Sequence, residues 1–131
     1  MGTINWLEKL NWTEEHIEDL RYTGYSYIRQ GKYEIALPFF EALAVLEVDN
    51  AYDSQTLGAI YLELNDPKQA LLYFDKALKS EGTHGPTLLN LAKAFFMLGK
   101  KDDGLRLAHI LKNDPEPTIS NPAKALILAY G

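Results

Sequence analysis

A period of 34 residues runs through most of the chain and constrains its fold more than any other feature. Gly24 returns as Gly58 and then as Ala92, and Tyr27 as Tyr61 and Phe95. Ala36 returns as Ala70 and Gly104, Phe40 as Phe74 and Ala108, and Leu43 as Ala77 and Leu111. Gly31 and Gly99 follow Gly24 and Ala92 at one spacing, and Asn65 holds that place in the middle copy. The residue types have a physical reason. Two antiparallel helices approach closely only where a small residue sits at their crossing. Gly24, Gly58 and Ala92 supply one on the first helix of each pair; Ala36, Ala70 and Gly104 supply one on the second. The rings of Tyr27, Tyr61, Phe95, Phe40 and Phe74 fill the space beside it. Gly31, Asn65 and Gly99 suit the left-handed backbone of the turn between the helices.

This pattern resembles the tetratricopeptide repeat, whose period is 34 residues. Three copies cover 17–50, 51–84 and 85–118, and in the third the second helix is degenerate, with Gly104 and Ala108 replacing a larger pair. The resemblance implies an all-α fold: three helix-turn-helix repeats in a right-handed superhelical array, forming a single domain over 1–131. The periodicity predicts helices over 14–30, 33–48, 52–64, 67–80, 86–98 and 101–112. Thr13 caps the first, with Glu14 and Glu15 complementing its dipole. Pro67 and Pro86 fall in first turns, where proline is tolerated. Pro38 falls about five residues into a helix, deletes a hydrogen bond to the preceding turn and predicts a local bend. Pro115 and Pro117 end the third repeat, and Asn121-Pro122 starts a short capping helix over 121–130. Its apolar face would be Ala123, Leu126, Ile127 and Tyr130. A stacked array needs such a cap to cover its last apolar face. Residues 1–13 form an N-terminal extension with a short helix over 3–10 carrying Ile4, Trp6, Leu7 and Leu10. With Trp12, these side chains either pack on the first repeat or make a self-association surface.

Composition removes several function classes. At 131 residues, 47% hydrophobic and 24% charged, the chain is an ordinary globular domain. With 13 Lys+Arg against 18 Asp+Glu the net charge is −5, and all of that excess lies in residues 1–50. No basic surplus exists for binding nucleic acid. There is no cysteine, so no disulfide, thiolate nucleophile or thiolate-bound zinc. The N-terminus lacks the basic and apolar regions of a secretory signal, and no run of 18 apolar residues spans a membrane. A cytoplasmic location is expected. His16, His84 and His109 have no metal-ligand spacing and read as ordinary surface residues. The segment Asp49-Asn50-Ala51-Tyr52-Asp53 lacks the glycine and the final acid of a calcium loop. No zinc-protease, phosphate-loop or nucleophile-elbow motif occurs. Neither a metal nor another cofactor is expected, and no residue supports an enzyme.

In stacked helix pairs the first helices line one side of the array. On the repeat alignment that side carries Arg21, Tyr25 and Ile28 in the first copy. It carries Tyr52, Gln55, Ala59 and Leu62 in the second, and Leu89, Lys93, Phe96 and Met97 in the third. The aromatics offer large contact area at low entropic cost, Met97 can adapt, and Arg21 and Lys93 could hold a carbonyl or carboxylate. The expected partner is a protein or peptide with an apolar segment laid in this groove. Tetratricopeptide co-chaperones of the carboxylate-clamp kind use a Lys and an Asn one turn apart on a first helix. Here Arg21 and Tyr25 stand there, which argues against a C-terminal carboxylate as ligand.

The segments Gly31-Lys32-Tyr33-Glu34-Ile35-Ala36, Phe40-Glu41-Ala42-Leu43-Ala44-Val45-Leu46 and Asp53-Ser54-Gln55-Thr56-Leu57-Gly58-Ala59 look like the tetratricopeptide chaperones of bacterial type III secretion. Three repeats, a short N-terminal extension and acidic character fit the same family. That resemblance implies a cytoplasmic chaperone holding an apolar translocator or needle subunit before export, with a second copy of the chain as a further partner. The alternative is a general adaptor joining proteins that are soluble on their own.

Overall fold

The computed structural model describes residues 5–131, among which the only regular elements are helices. In chain order these are α1 (Trp6–Leu10), α2 (Glu14–Arg29), α3 (Tyr33–Leu46), α4 (Ala51–Glu63), α5 (Pro67–Ser80), α6 (Gly85–Met97), α7 (Lys101–Leu111) and α8 (Pro117–Tyr130). Each helix packs on its neighbour in sequence from α2 onward, α4 also touches α6, and α6 also touches α8. The connectivity is that of stacked helix pairs, α2/α3, α4/α5 and α6/α7, closed by α8.

Local sequence starts and stops these elements where expected. The Asn50 side chain accepts from the Asp53 N–H at 3.0 Å and opens α4. Asp66 does the same for the Gln69 N–H of α5 at 3.3 Å, with Pro67 at the first helical position. Gly31, Asn65 and Gly99, between the paired helices, have φ of 72°, 61° and 75°, the left-handed conformation the repeat demanded of them. Thr13 is the residue ahead of α2, and His16 answers it: the Thr13 N–H donates to His16 Nδ1 at 2.9 Å. His16 therefore belongs to a helix start rather than being an idle surface residue.

Two boundaries differ from expectation. The capping helix begins at Pro117, not at Asn121, so Pro117 opens an element instead of ending one. A proline at the first helical position loses nothing, because that N–H has no intrahelical acceptor in any helix. Pro122 then lies inside α8, as Pro38 lies inside α3, and each helix runs through its proline as one element. Each forgoes one backbone bond, and the packed apolar face holds the helix together. At the N-terminus α1 starts at Trp6; Ile4, expected in that helix, lies outside the described residues.

Packing follows the repeat. One core cluster gathers Ile17, Ala36, Phe40, Leu43, Leu57 and Ile60; a second Ala70, Phe74 and Ala94; a third Leu89, Leu111, Ile119 and Ala123. The crossing contact is the same in the first two pairs. A Cβ on Gly24 would lie 2.7 Å from the Phe40 ring, and one on Gly58 would lie 2.5 Å from the Phe74 ring. The third pair keeps the contact but reverses it. The glycine, Gly104, is on the second helix, and the ring, Phe96, comes from the first, 2.8 Å from where a Cβ would stand. The apparent degeneracy of that copy is this exchange of partners.

Gly58→Ala is expected to destabilise the protein, because the fully buried Phe74 ring has no room to retreat. Overpacking of about 1–3 kcal/mol outweighs the helix propensity gained, roughly 1 kcal/mol. Phe74→Leu in the same chain should recover about 1 kcal/mol of that loss, read as the coupling energy in a urea double-mutant cycle. Additive effects would mean that the ring contact is not what limits the approach.

Candidate functional site

The exposed side of the first helices carries two adjoining depressions. One, of about 230 Å³, lies between α2 and α4 and is lined by Tyr25, Ile28, Tyr33, Gln55, Thr56, Ala59, Ile60 and Glu63. The other, of about 360 Å³, lies between α4 and α6 and is lined by Ala59, Leu62, Glu63, Asn65, Asn90, Lys93 and Met97. They share Ala59 and Glu63, so together they form one trough with Ala59 at its waist. The small alanine leaves the space open, whereas Tyr25 stands at the corresponding place in the first copy and Lys93 in the third.

The Tyr25 ring is locked. Its hydroxyl is 3.0 Å from Thr56 Oγ1, and it meets the Phe40 ring in a T-shaped contact at a centroid distance of 5.0 Å. It therefore offers a fixed apolar wall with its polar end already satisfied. The remaining polar groups of the trough are the Tyr33 hydroxyl, the Gln55, Asn65 and Asn90 amides, the Glu63 carboxylate and the Lys93 ammonium, which can bind a peptide backbone or one charge of each sign. Among the described residues no cluster of three His, Asp or Glu side chains is placed to hold a metal. No described helix is long and apolar enough to cross a membrane.

Seven of the expected groove residues, Tyr25, Ile28, Gln55, Ala59, Leu62, Lys93 and Met97, line this trough. Four do not. Arg21 is turned inward: its Nε donates to Asp53 Oδ1 at 3.0 Å and its Nη2 to Asp53 Oδ2 at 2.8 Å, with Glu47 at 3.4 Å and Glu18 also paired to it. Asp53 is only 1% exposed. The hydrogen bond to Asp53 raises the arginine's pKa against the opposing effect of burial. Arg21 is thus spent on joining α2 to α4 and is not free to hold a ligand's carbonyl or carboxylate. Leu89 is core, packed with Ile119 and Ala123 of α8. Phe96 is core as well, stacked on Tyr130 of α8 at 4.1 Å between ring centroids and laid against Gly104. In both cases α8 covers the side of α6 that would otherwise face a ligand, and for Phe96 the contact with Gly104 adds to this. Tyr52 is 59% exposed but stands outside the trough, edge-on to the His84 ring.

Sequence reasoning missed Tyr33, Ile60 and Asn65, as well as Thr56 and Asn90, which are one position of the repeat, and Glu63, which is the counterpart of Met97. The period was sufficient to find Glu63, which lies 34 residues before Met97; Thr56 and Asn90 had no counterpart among the expected residues to lead to them. Away from the trough, Tyr61 stacks on Tyr73, and burial raises its pKa further above neutrality. A separate apolar depression of about 380 Å³ lies among α1, α2 and α3, lined by Trp6, Leu10, Trp12, Leu20, Ala42, Val45 and Leu46. The N-terminal side chains divide between inside and outside. Leu7 and Trp12 pack against the first core cluster, whereas Trp6 and Leu10 remain 40% and 49% exposed.

Comparison with known proteins follows the fold. The family model for anaphase-promoting complex, cyclosome, subunit 3 matches residues 29–109. No curated protein sequence matches significantly. Among solved structures, the chain is similar to PcrH, a Pseudomonas aeruginosa protein, in complex with the chaperone binding region of PopD. The identity is 23%, the TM-score 0.78, and the match covers 90% of this chain and 92% of that one. It is similar to the type III secretion translocator chaperone SycD of Yersinia enterocolitica, with 22% identity, a TM-score of 0.77 and 98% of both chains covered. A second SycD structure, described as an alternative dimer, matches with 21% identity and a TM-score of 0.73, over 89% of this chain and 96% of that one. At these identities the likeness is one of fold, an all-helical tetratricopeptide-like array spanning nearly the whole of each chain.

Removing Arg21 alone should be costly, because the buried Asp53 carboxylate would lose its fork. Arg21→Met is expected to destabilise by about 3–5 kcal/mol, and the pair Arg21→Met with Asp53→Leu by much less. Chemical denaturation of the three chains measures this. Equal losses in the single and double variants would show that the ion pair is not what joins α2 to α4.

Proposed function

The chain belongs to the family of anaphase-promoting complex, cyclosome, subunit 3, and we propose that this member is a cytoplasmic, non-enzymatic chaperone of bacterial type III secretion. Its client is an export substrate whose apolar segment lies in the trough of α2, α4 and α6 until release. The observation that carries this reading is the trough itself: two adjoining depressions that combine apolar walls with amides and one charge of each sign. Such a surface suits an extended segment with two apolar anchors, one beside Tyr25 and Ile28 and one beside Leu62 and Met97. Support comes from the likeness of the whole fold to PcrH, solved with the chaperone binding region of PopD, and to the translocator chaperone SycD. The physical logic is storage. An exposed apolar patch associates with others of its kind, and a groove that covers it keeps the client apart until export offers something better.

The apolar depression around Trp6 and Leu10 serves, on the same reading, as a self-association surface, and the SycD dimer supports this. Leu10→Asp leaves the inward-facing Leu7 and Trp12 untouched. It is expected to lower the mass measured by light scattering to that of one chain; an unchanged mass would remove the surface from consideration.

Affinity purification from the native host, with mass spectrometry of what is retained, tests the client. One secreted apolar protein that precipitates without this chain supports the chaperone. A set of partners soluble on their own points instead to an adaptor. Ala59→Arg places a long charged side chain at the waist of the trough on an element that tolerates arginine well. Its expected effect is a loss of client affinity of roughly 30-fold or more, about 2 kcal/mol, with an unchanged circular dichroism spectrum. Unaltered affinity would place the client elsewhere.

A further inference from the structure

Ser54 breaks the repeat. The first and third copies carry leucine at this position, Leu20 and Leu88, and both pack against core clusters. In the second copy the shorter side chain leaves a cavity of about 150 Å³ between the start of α4 and the end of α5. Ser54 is only 3% exposed. Its hydroxyl has no hydrogen-bond partner among the described residues, yet no fully enclosed polar side-chain atom there lacks one, so the hydroxyl opens on the cavity that it lines. The hydroxyl therefore keeps its hydrogen-bonding capacity for whatever enters the cavity, where leucine would offer none.

The other walls indicate the sign of that occupant's charge. Ala51 lines the cavity at the first helical position of α4, where backbone N–H groups have no intrahelical acceptor. Lys76 and Lys79 line it from the last turns of α5. The one carboxylate in the lining is Asp49, in the turn before α4; Asp53, in the first turn of α4, is tied up in the Arg21 fork. Lys79 has Asp75 at 3.6 Å, an exposed pair of little strength. Lysines near a helix C-terminus and amides at a helix N-terminus are common and would say little alone. Ser54, polar and nearly buried where the fold elsewhere puts leucine, is what distinguishes the place. We infer that this cavity is a receptor for a single oxyanion, a carboxylate or a phosphate group, held by the Ser54 hydroxyl, the Ala51 and Tyr52 amides that Asn50 leaves free, and the ammonium groups of Lys76 and Lys79. It is separate from the trough and does not depend on the client's identity.

The test is a titration of the full chain with sodium phosphate, and separately with sodium acetate, at fixed ionic strength, read by the NMR shifts of backbone amides. Saturable shifts are expected at Ala51, Tyr52 and Ser54. They should weaken about tenfold in Lys76→Gln/Lys79→Gln and vanish in Ser54→Leu, which fills the cavity with the side chain that the other repeats carry. Ser54→Ala removes the hydroxyl without adding bulk, so the test stands even if leucine disturbs the fold; it too should weaken binding. Saturation by acetate supports a carboxylate source, such as an acidic side chain of a partner; saturation by phosphate alone supports a phosphate source. Shifts that stay linear with both anions overturn the receptor, as do saturable shifts that persist in Ser54→Leu or remain full strength in Ser54→Ala.

Discussion

The contact on which the rest of the structure depends is an aromatic ring laid directly on a backbone that lacks a Cβ. Gly24 receives Phe40, Gly58 receives Phe74 and Gly104 receives Phe96, all at distances that no alanine would allow without movement. Each contact lets the two helices of a pair come together while burying a whole ring, worth about 1.5–3 kcal/mol for the side chain. Because all three pairs are built this way, they stack, and their first helices come to share one side. The trough is a by-product of that regularity.

The reversal of the contact in the third pair has a consequence for the site. With Gly104 on α7, the ring must come from α6, so Phe96 turns inward and Tyr130 of α8 stacks on it. A position that would face a ligand in an even array is thereby taken into the core, and Leu89 goes the same way against Ile119 and Ala123. The cap therefore does more than cover the last apolar face: it shortens the trough at that end.

Electrostatics acts in the same way at the other end. Arg21 is the one cation on the ligand side of α2 that the repeat alignment picked out, and the buried Asp53, together with Glu47 and Glu18, occupies it. The trough keeps the apolar walls, the amides and one charge of each sign. A surface with so little charge selects by shape and apolar contact, with hydrogen bonds to a backbone setting orientation.

The sequence by itself determined the helices, their pairing and the three left-handed turns at Gly31, Asn65 and Gly99. These are local or periodic properties: a 34-residue spacing, a residue that tolerates positive φ and a capping side chain are visible without knowing what packs where. It also placed seven residues in the trough, because a helix face follows from periodicity. What only the tertiary structure decided was which residues on that face remain free. Arg21 and Asp53 are 32 residues apart, Phe96 and Tyr130 another full period apart, and nothing local announces either pairing. The start of α8 at Pro117 was hidden for a related reason: a proline ends or begins a helix according to what lies beyond it, and the apolar face that stabilises α8 exists only once α6 and α7 are in place.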